Sequence, residues 1–174
     1  MKKLFLLFFA FLASALAWAQ SDFPNKPITI VVATPAGGAT DKTVRLLVKQ
    51  LQTKWKNGVI VENRVGASGN IASSYVAKAN PDGYTLLVSA GPFSINPSLF
   101  KTLPFDTKKD FVPITQISSF ASVMLVHESF PAKTLNEFVS IAKNPKEPLA
   151  YASAGSGTAQ HLGMELLRSK LKLN

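Results

Sequence analysis

The chain carries a glycine-rich segment, Thr34-Pro35-Ala36-Gly37-Gly38-Ala39-Thr40-Asp41, between an apolar β-branched run over residues 28–32 and a helical pattern over residues 40–55. A strand that ends in such a turn and opens a helix leaves backbone N–H groups unpaired. Together with the helix dipole, these groups favour an anion. A second segment of this kind is Ser153-Ala154-Gly155-Ser156-Gly157-Thr158. We name the two segments the first and the second glycine loop and predict that they face each other.

Strand and helix patterns alternate in the first part of the chain. We expect strands over residues 28–33, 59–62 and 84–89, and helices over residues 40–55 and 71–78. The first strand is almost continuously apolar, as a central parallel strand should be. The pattern therefore predicts a βαβαβ unit, which is an α/β fold. A loop over residues 90–97 and a short helical turn over residues 97–101 are expected to follow.

The later part of the chain is predicted to begin a second lobe. Strands are expected over residues 112–118, 122–126 and 149–152, together with a helix capped by Thr134 and Glu137 and a last helix with Leu162, Leu166 and Leu171 on one face. We place the first α/β lobe at residues 20–121 and the start of the second at residues 122–174. These few elements lack the apolar area to close a second core, so we expect the N-terminal part of a longer protein.

The first nineteen residues have the pattern of a secretory signal. Lys2 and Lys3 form a basic start, residues 4–16 are apolar, and Ala17-Trp18-Ala19 is a small-x-small cleavage site. The apolar run is too short for a typical membrane-spanning helix. We therefore expect cleavage after Ala19 and an exported mature chain that begins at Gln20.

Composition and charge are those of a globular protein with a cationic surface. The 174 residues are 47% hydrophobic and include no cysteine, which excludes disulfides and thiolate metal sites. The formal net charge is +9, and removal of Lys2 and Lys3 with the signal leaves 17 basic against 10 acidic residues, or +7. Such a body attracts anions.

Catalytic and cofactor motifs are missing. Ser156 and His161 invite a hydrolase interpretation, but the G-x-S-x-G pattern is absent, and His161 lies one turn into the predicted last helix, where it does not easily reach the Ser156 hydroxyl. Two histidines without paired carboxylates give no metal-ligand spacing. The glycines match neither a dinucleotide nor a P-loop fingerprint, and the basic residues form no nucleic-acid platform. We therefore predict no enzyme activity, cofactor, metal or nucleic acid.

The function that these exclusions leave is the binding of an anion by the glycine loops. In open α/β sheets a ligand binds outside the carboxyl ends of the strands. Four or five charge-assisted hydrogen bonds of about 1.5–3 kcal/mol each would give micromolar affinity even after ordering costs. We expect Gly37 and Gly38 to present their N–H groups to a carboxylate, directly or through water.

Several motifs recur in this order in one protein family. They are Pro27-Ile28, Pro35-Ala36-Gly37-Gly38-Ala39-Thr40-Asp41, Val61-Glu62-Asn63-Arg64-Val65-Gly66-Ala67-Ser68-Gly69-Asn70, Pro81-Asp82-Gly83-Tyr84-Thr85-Leu86, Ile95-Asn96-Pro97, Leu103-Pro104-Phe105-Asp106, Asp110-Phe111, and Tyr151 through the second glycine loop to His161-Leu162. The chain thereby resembles the Bug or TctC-like extracytoplasmic solute receptors, the binding components of tripartite tricarboxylate transporters. It differs from them in the first glycine loop, where Ala36 and Ala39 flank only two glycines and family members usually have Pro-Gly-Gly-Gly-Thr-Asp. Family members are also nearly twice as long.

The resemblance implies a periplasmic-binding-protein fold. Two lobes, each a mostly parallel sheet flanked by helices, close on a small carboxylate such as an organic acid, a di- or tricarboxylate or an amino acid; here the second lobe would be incomplete. In the family, backbone groups and bridging waters of the two glycine loops hold one carboxylate, and the loop after the third strand helps to select the ligand. The ligand-binding residues implied here are Pro35, Ala36, Gly37, Gly38, Ala39, Thr40, Asp41, Ser89, Gly91, Ser94, Ser153, Ala154, Gly155, Ser156, Gly157 and Thr158.

The resemblance also implies a monomeric periplasmic receptor that hands its ligand to membrane permease subunits. An alternative is an orphan sensory receptor that signals its ligand state to a membrane regulator. A secreted α/β enzyme is a third alternative. Transport and sensing use the same kind of pocket, so the residues do not separate these two.

The signal pattern makes a direct prediction. N-terminal sequencing of the protein from a periplasmic fraction should begin at Gln20, because the small-x-small site directs cleavage after Ala19. A mature protein that still begins at Met1 would contradict this prediction.

Overall fold

The computed structural model describes residues 23–144, 146 and 148–173, so the predicted signal, residues 1–19, lies outside the described residues. In the described part, three parallel strands form one sheet in the order β2-β1-β3: β1 (Ile28–Val32), β2 (Val59–Asn63) and β3 (Thr85–Val88). The connections contain α1 (Ala39–Lys54), a 3-10 turn (Ala67–Gly69) and α2 (Asn70–Ala77). The predicted alternation of strands and helices in the first lobe is confirmed.

The central strand β1 is covered on both faces. On one face Ile28, Ile30 and Val32 form a buried cluster with Val44 and Val48 of α1. On the other face lies Val31, which is fully buried, and α2 contacts β1. Neighbouring side chains of a strand point to opposite faces, so burial on both sides accounts for the apolar sequence of β1, in which only the half-buried Thr29 is polar.

The three strands end at the same level. Val32, the last residue of β1, pairs with Asn63 of β2 and with Val88 of β3, which are the last residues of their own strands. The loops that follow the strands therefore start side by side. We call this side of the sheet the carboxyl edge.

The segment after β3 differs from the prediction. Residues 90–97 were expected to form a loop, but the structure has a helix, α3 (Pro92–Leu99), with Pro92 in its first turn. Proline suits that position because the N–H group it lacks would have no intrahelical partner there. Pro97 lies inside the helix, at a position where proline usually indicates a break. Contacts with the preceding turn and helix stabilise α3 in spite of Pro97. Its own residue Asn96 is 1% exposed and donates hydrogen bonds to the Ser68 carbonyl and to the Asn70 side chain.

The rest of the described chain contains two more helices, α4 (Leu135–Ala142) and α5 (Ala159–Leu171). The predicted capping box is confirmed, because Thr134 Oγ1 accepts from the Glu137 N–H and the Glu137 carboxylate accepts from the Thr134 N–H. Phe138 and Ala142 of α4 form a small buried cluster with Ala132, and Met164 and Leu167 of α5 pack against it. None of the helices in the described ranges is long and apolar enough to cross a membrane.

The strands predicted over residues 112–118, 122–126 and 149–152 are wrong for the described residues, where these segments form no strand. Val112 is 89% exposed and Leu125 is 85% exposed. A strand needs a neighbouring strand to accept and donate its backbone hydrogen bonds. Within the part of the chain that the structure describes, none lies beside these segments, so the apolar pattern alone does not produce a sheet.

A buried polar network joins α1, β2 and the first glycine loop. Asp41, in the first turn of α1, is 1% exposed. Its carboxylate accepts hydrogen bonds from the Gly37 N–H at 2.8 Å, from Arg45 Nε at 2.9 Å and from Asn63 Nδ2 at 2.9 Å. Asn63 Nδ2 also donates to the Thr34 carbonyl at 3.0 Å. The network thus fixes the loop at both of its ends.

The charge of Asp41 is stabilised within this network. The Arg45 guanidinium, followed by the N–H groups of Gly37 and Asn63, holds the pKa of the Asp41 carboxyl well below its usual range. The same contact raises the pKa of Arg45. Asp41 is therefore ionised in the folded protein at neutral pH.

We expect Ile28→Ala to lower the free energy of unfolding by about 2–5 kcal/mol, because it removes buried methyl groups and leaves a cavity. Ile60→Ala is the matched control, since Ile60 lies on the adjacent strand but is 53% exposed. Urea unfolding followed by circular dichroism measures both variants. Equal losses in the two variants would contradict the assigned core.

We also expect Asp41→Asn to lower the free energy of unfolding at neutral pH and to reduce its loss on acidification. The lowered folded-state pKa means that the contribution of Asp41 is complete above its unfolded-state pKa of about 3.9 and is lost as the pH falls towards the folded-state value. Urea titrations at neutral pH and at about pH 3 measure this difference. Glu128→Gln, at an exposed position, is the control. Unchanged acid sensitivity in Asp41→Asn would refute the assignment.

Candidate functional site

Three segments meet at the carboxyl edge. A Cβ atom added to Gly69 would lie 3.3 Å from Ala33 Cβ, just after β1, and 3.9 Å from Ser89 Oγ, just after β3. Gly69 also has a φ of +84°, a left-handed value that side chains disfavour. The Ala67–Gly69 turn can therefore pack against both neighbouring loops only because position 69 is glycine.

The second glycine loop contacts the residues at this edge. Ser68 Oγ donates a hydrogen bond to the Ser156 carbonyl at 2.9 Å. Gly157 is buried, and a Cβ atom there would come within 2.5 Å of Leu99 Cδ1 on α3. The second loop thus contacts the Ala67–Gly69 turn, which in turn packs on Ala33 immediately before the first loop. That the two glycine loops face each other stays a prediction, because the contacts of both run to this turn and its neighbours.

The backbone donors of the first loop differ from those predicted. The Gly37 N–H donates to Asp41 Oδ2 at 2.8 Å, and the Gly38 N–H donates to the Pro35 carbonyl at 3.3 Å. The expectation that these two groups are free for a ligand is therefore wrong. The reason is that the Asp41 side chain folds back onto the loop and takes the Gly37 N–H, while the tight turn at Pro35 takes the Gly38 N–H.

The donors left open lie one residue further along the chain. Gly38 is the N-cap of α1 and has no side chain with which to cap it. Among the described residues, no hydrogen-bond acceptor pairs with the N–H groups of Ala39 and Thr40, while the Lys42 N–H makes the first intrahelical bond to Gly38. Residues 35–39 are exposed, and Thr40 is half-buried. The first turn of α1 thus offers two accessible N–H groups at the positive end of a helix dipole.

The second loop uses more of its own polar groups. Thr158, the N-cap of α5, accepts from the His161 N–H at 3.3 Å and donates to the Gly155 carbonyl at 2.7 Å. The Gly157 N–H donates to His161 Nδ1 at 3.1 Å. Residues 153–156 are exposed, whereas Gly157 is buried and Thr158 half-buried. His161, which the sequence left without a role, therefore holds this loop.

The segment after β3, which was predicted to help select the ligand, begins at the carboxyl edge. Ser89 is half-buried beside Gly69, and Gly91 is exposed. Ser94, in the first turn of α3, is exposed and its hydroxyl donates to the Gly91 carbonyl at 3.0 Å. Ser89 thus lies beside the Ala67–Gly69 turn, and a role of these three residues in ligand selection stays a prediction.

Sequence reasoning missed the Ala67–Gly69 turn as part of the site. Ala67 and Ser68 have φ values of +47° and +54°, a left-handed conformation that costs about 1–3 kcal/mol per non-glycine residue and occurs often at functional sites. The Ser68 carbonyl is held by the buried amide of Asn96 at 2.9 Å. The signal was present, because this turn also follows a strand, contains glycine and opens a helix.

Comparisons with known proteins agree with this arrangement. The family model described as "Tripartite tricarboxylate transporter family receptor" (TctC) matches residues 43–174. A UPF0065 protein of Bordetella pertussis is 38% identical over 168 residues, which is 95% of this chain and 51% of that protein.

Two solved structures with ligands have the same fold. MatC from Rhodopseudomonas palustris with bound malate superposes with a TM-score of 0.76 at 33% identity, over 87% of this chain and 52% of that one. Rpa4515 of R. palustris with adipate gives a TM-score of 0.71 at 28% identity, over 88% and 52%. The chain therefore spans about half the length of the relatives it matches. Its three-stranded parallel sheet with flanking helices, its glycine loops and the match of the family model to most of its length show that this chain belongs to the TctC family of tripartite tricarboxylate transporter receptors.

Proposed function

We propose that this chain forms part of a periplasmic receptor that binds a small carboxylate at the carboxyl edge and delivers it to the membrane permease subunits of a tripartite transporter. The observation that carries the proposal is the open first turn of α1. There the N–H groups of Ala39 and Thr40 point out of the helix with no acceptor among the described residues.

Charge at this turn suits an anion. A hydrogen bond to a charged group contributes about 1.5–3 kcal/mol, and a helix N-terminus adds about 0.3–1 kcal/mol. The buried Asp41 carboxylate would oppose an anion so close by, but Arg45 pairs with it at 2.9 Å. Lys42 and Lys49 are exposed on the same helix and add to the positive field.

The relatives support a dicarboxylate as ligand. Malate and adipate, bound in MatC and Rpa4515, are both small dicarboxylic acids. In our proposal one carboxylate lies at the first turn of α1, and residues 153–156 of the second glycine loop complete its surroundings from the other lobe. Ser89, Gly91 and Ser94 contact the remainder of the ligand.

The domain division and the location belong to the same proposal. Residues 20–121 form the first lobe and residues 122–174 begin the second, and the ligand lies between them. Residues 1–19 direct export and are then removed, and the receptor acts as a monomer. The small helical cluster of α4 and α5 contributes the second glycine loop to the crevice.

The proposal is tested by deleting a single N–H group. Ala39→Pro removes the N–H of the first residue of α1, a position where proline fits, and Gly38 already has the extended φ of −70° and ψ of 173° that a following proline requires. We expect malate binding to weaken by about 1.5–3 kcal/mol in calorimetric titration.

Ala39→Val is the matched control, since it adds a side chain of similar size but keeps the N–H group. It should bind malate nearly as tightly as the parent protein. Circular dichroism checks that both variants fold. Parent-like binding by Ala39→Pro would show that the ligand does not use this turn.

A further inference from the structure

The two glycine loops are held by the same device. In each loop a glycine in left-handed conformation, Gly37 with φ +81° or Gly157 with φ +76°, donates its N–H to the side chain four residues later. In the first loop the acceptor is the Asp41 carboxylate at 2.8 Å, and in the second it is His161 Nδ1 at 3.1 Å. Both acceptors lie in the first turn of the following helix. The two anchors differ in their acid–base chemistry.

The second anchor exists only while His161 is neutral. A ring nitrogen that accepts a hydrogen bond must be unprotonated, so the contact with Gly157 assigns the proton of the neutral ring to Nε2. The imidazolium form carries N–H groups on both nitrogens and has no acceptor left. Protonation therefore turns the contact with the Gly157 N–H from an attraction into a repulsion.

The described surroundings offer the charged ring no carboxylate. From α3 the neighbours of Gly157 are Leu99 and Asn96, which are uncharged, and the segment on the other side is the equally uncharged Ser68 turn. Asn96 Oδ1 is a buried acceptor 3.8 Å from where a Cβ of Gly157 would lie, but it accepts no hydrogen bond from Gly157 in this position. On α5 itself, Glu165 lies one turn further on. Its carboxylate accepts from the Tyr151 hydroxyl at 2.8 Å and pairs with Arg168 at 3.1 Å. Among the described residues, no carboxylate forms an ion pair with His161.

Release of Gly157 would disturb the contact between the lobes. Gly157 is buried against Leu99 so closely that even a Cβ atom would overlap with it. The preceding residue, Ser156, accepts the hydrogen bond from Ser68 Oγ that joins the second loop to the first lobe. A shift of Gly157 therefore moves the only described hydrogen bond between these two segments.

We propose that His161 is the positioning residue of the second glycine loop and makes this loop sensitive to pH, while the Asp41 carboxylate keeps the first loop in place. Protonation of the His161 ring frees Gly157, separates Ser156 from Ser68 and weakens carboxylate binding. The effect on the loop stands by itself, and the effect on affinity rests on the proposed function.

The sign of the effect distinguishes positioning from simple charge. A positive charge added near an anionic ligand would by itself strengthen binding as the pH falls. Loss of the Gly157 anchor predicts the opposite, a weaker affinity at lower pH. The direction of the change therefore decides between the two.

The anchor is tested without any ligand by nuclear magnetic resonance. In 15N-labelled protein titrated from about pH 8 to about pH 5.5, the Gly157 amide proton should shift upfield with the same midpoint as the His161 ring. The Gly37 amide should not move in this range, and the Gly163 amide on the same helix controls for the field of the imidazolium. In His161→Gln, whose side-chain oxygen accepts a hydrogen bond without titrating, the Gly157 shift should vanish. A Gly157 amide that stays in place while the His161 ring titrates would overturn the proposal.

Malate titration calorimetry over the same pH range tests the consequence. The parent should lose about tenfold in affinity, the effect of one hydrogen bond, and His161→Leu should be weakened by about as much at both ends of the range. His161→Gln should bind malate with similar affinity at both ends of the pH range. His127→Gln, which changes the other histidine, should show the pH dependence of the parent. The same pH dependence in His161→Gln and in the parent would refute a role for His161. A parent that does not bind malate at all would count against the proposed function, while the amide measurement still decides the anchor.

Discussion

Parallel pairing of β1 with both of its neighbours is the constraint on which the site depends. Because Val32 pairs with the last residues of β2 and β3, three strands end at one level and their loops start together. The polar backbone of those loops therefore gathers at one edge, next to the buried apolar core. A one-residue slip of any strand would turn its side chains to the wrong face and separate the loops.

The loops at this edge are held in advance of any ligand. Gly37 and Gly157 each give their N–H group to a side chain of the following helix, and Asn96 holds the Ser68 carbonyl. Among the described residues, the backbone groups left without a partner include the N–H groups of Ala39 and Thr40. A preformed arrangement favours binding because the ligand does not have to order the loop. The buried Asp41 carboxylate orders the loop next to the proposed anion site, and Arg45 offsets its charge.

The two parts of the described chain differ in how completely they bury their apolar side chains. The first part buries every residue of β1 except the half-buried Thr29, whereas residues 112–126 expose large apolar side chains such as Val112 and Leu125. The capping box at Thr134 and the cluster around Phe138 form because they need only local or nearby partners. A strand, by contrast, needs a partner strand that is distant in the sequence. The chain spans about half the length of its relatives.

The sequence by itself determined the elements whose causes are local. Apolar runs, helical periodicity, the Thr134–Glu137 cap and the glycine loops at strand ends predicted β1 to β3, α1, α2, α4 and α5, and through the motifs the family. Tertiary structure decided the rest. The strands predicted over residues 112–126 do not form because a strand requires a paired neighbour, and α3 forms across Pro97 because buried contacts of Asn96 stabilise it. Which N–H groups of the first loop are open also depended on the fold, since the direction of the Asp41 side chain is set by Arg45 and Asn63, four and twenty-two residues away.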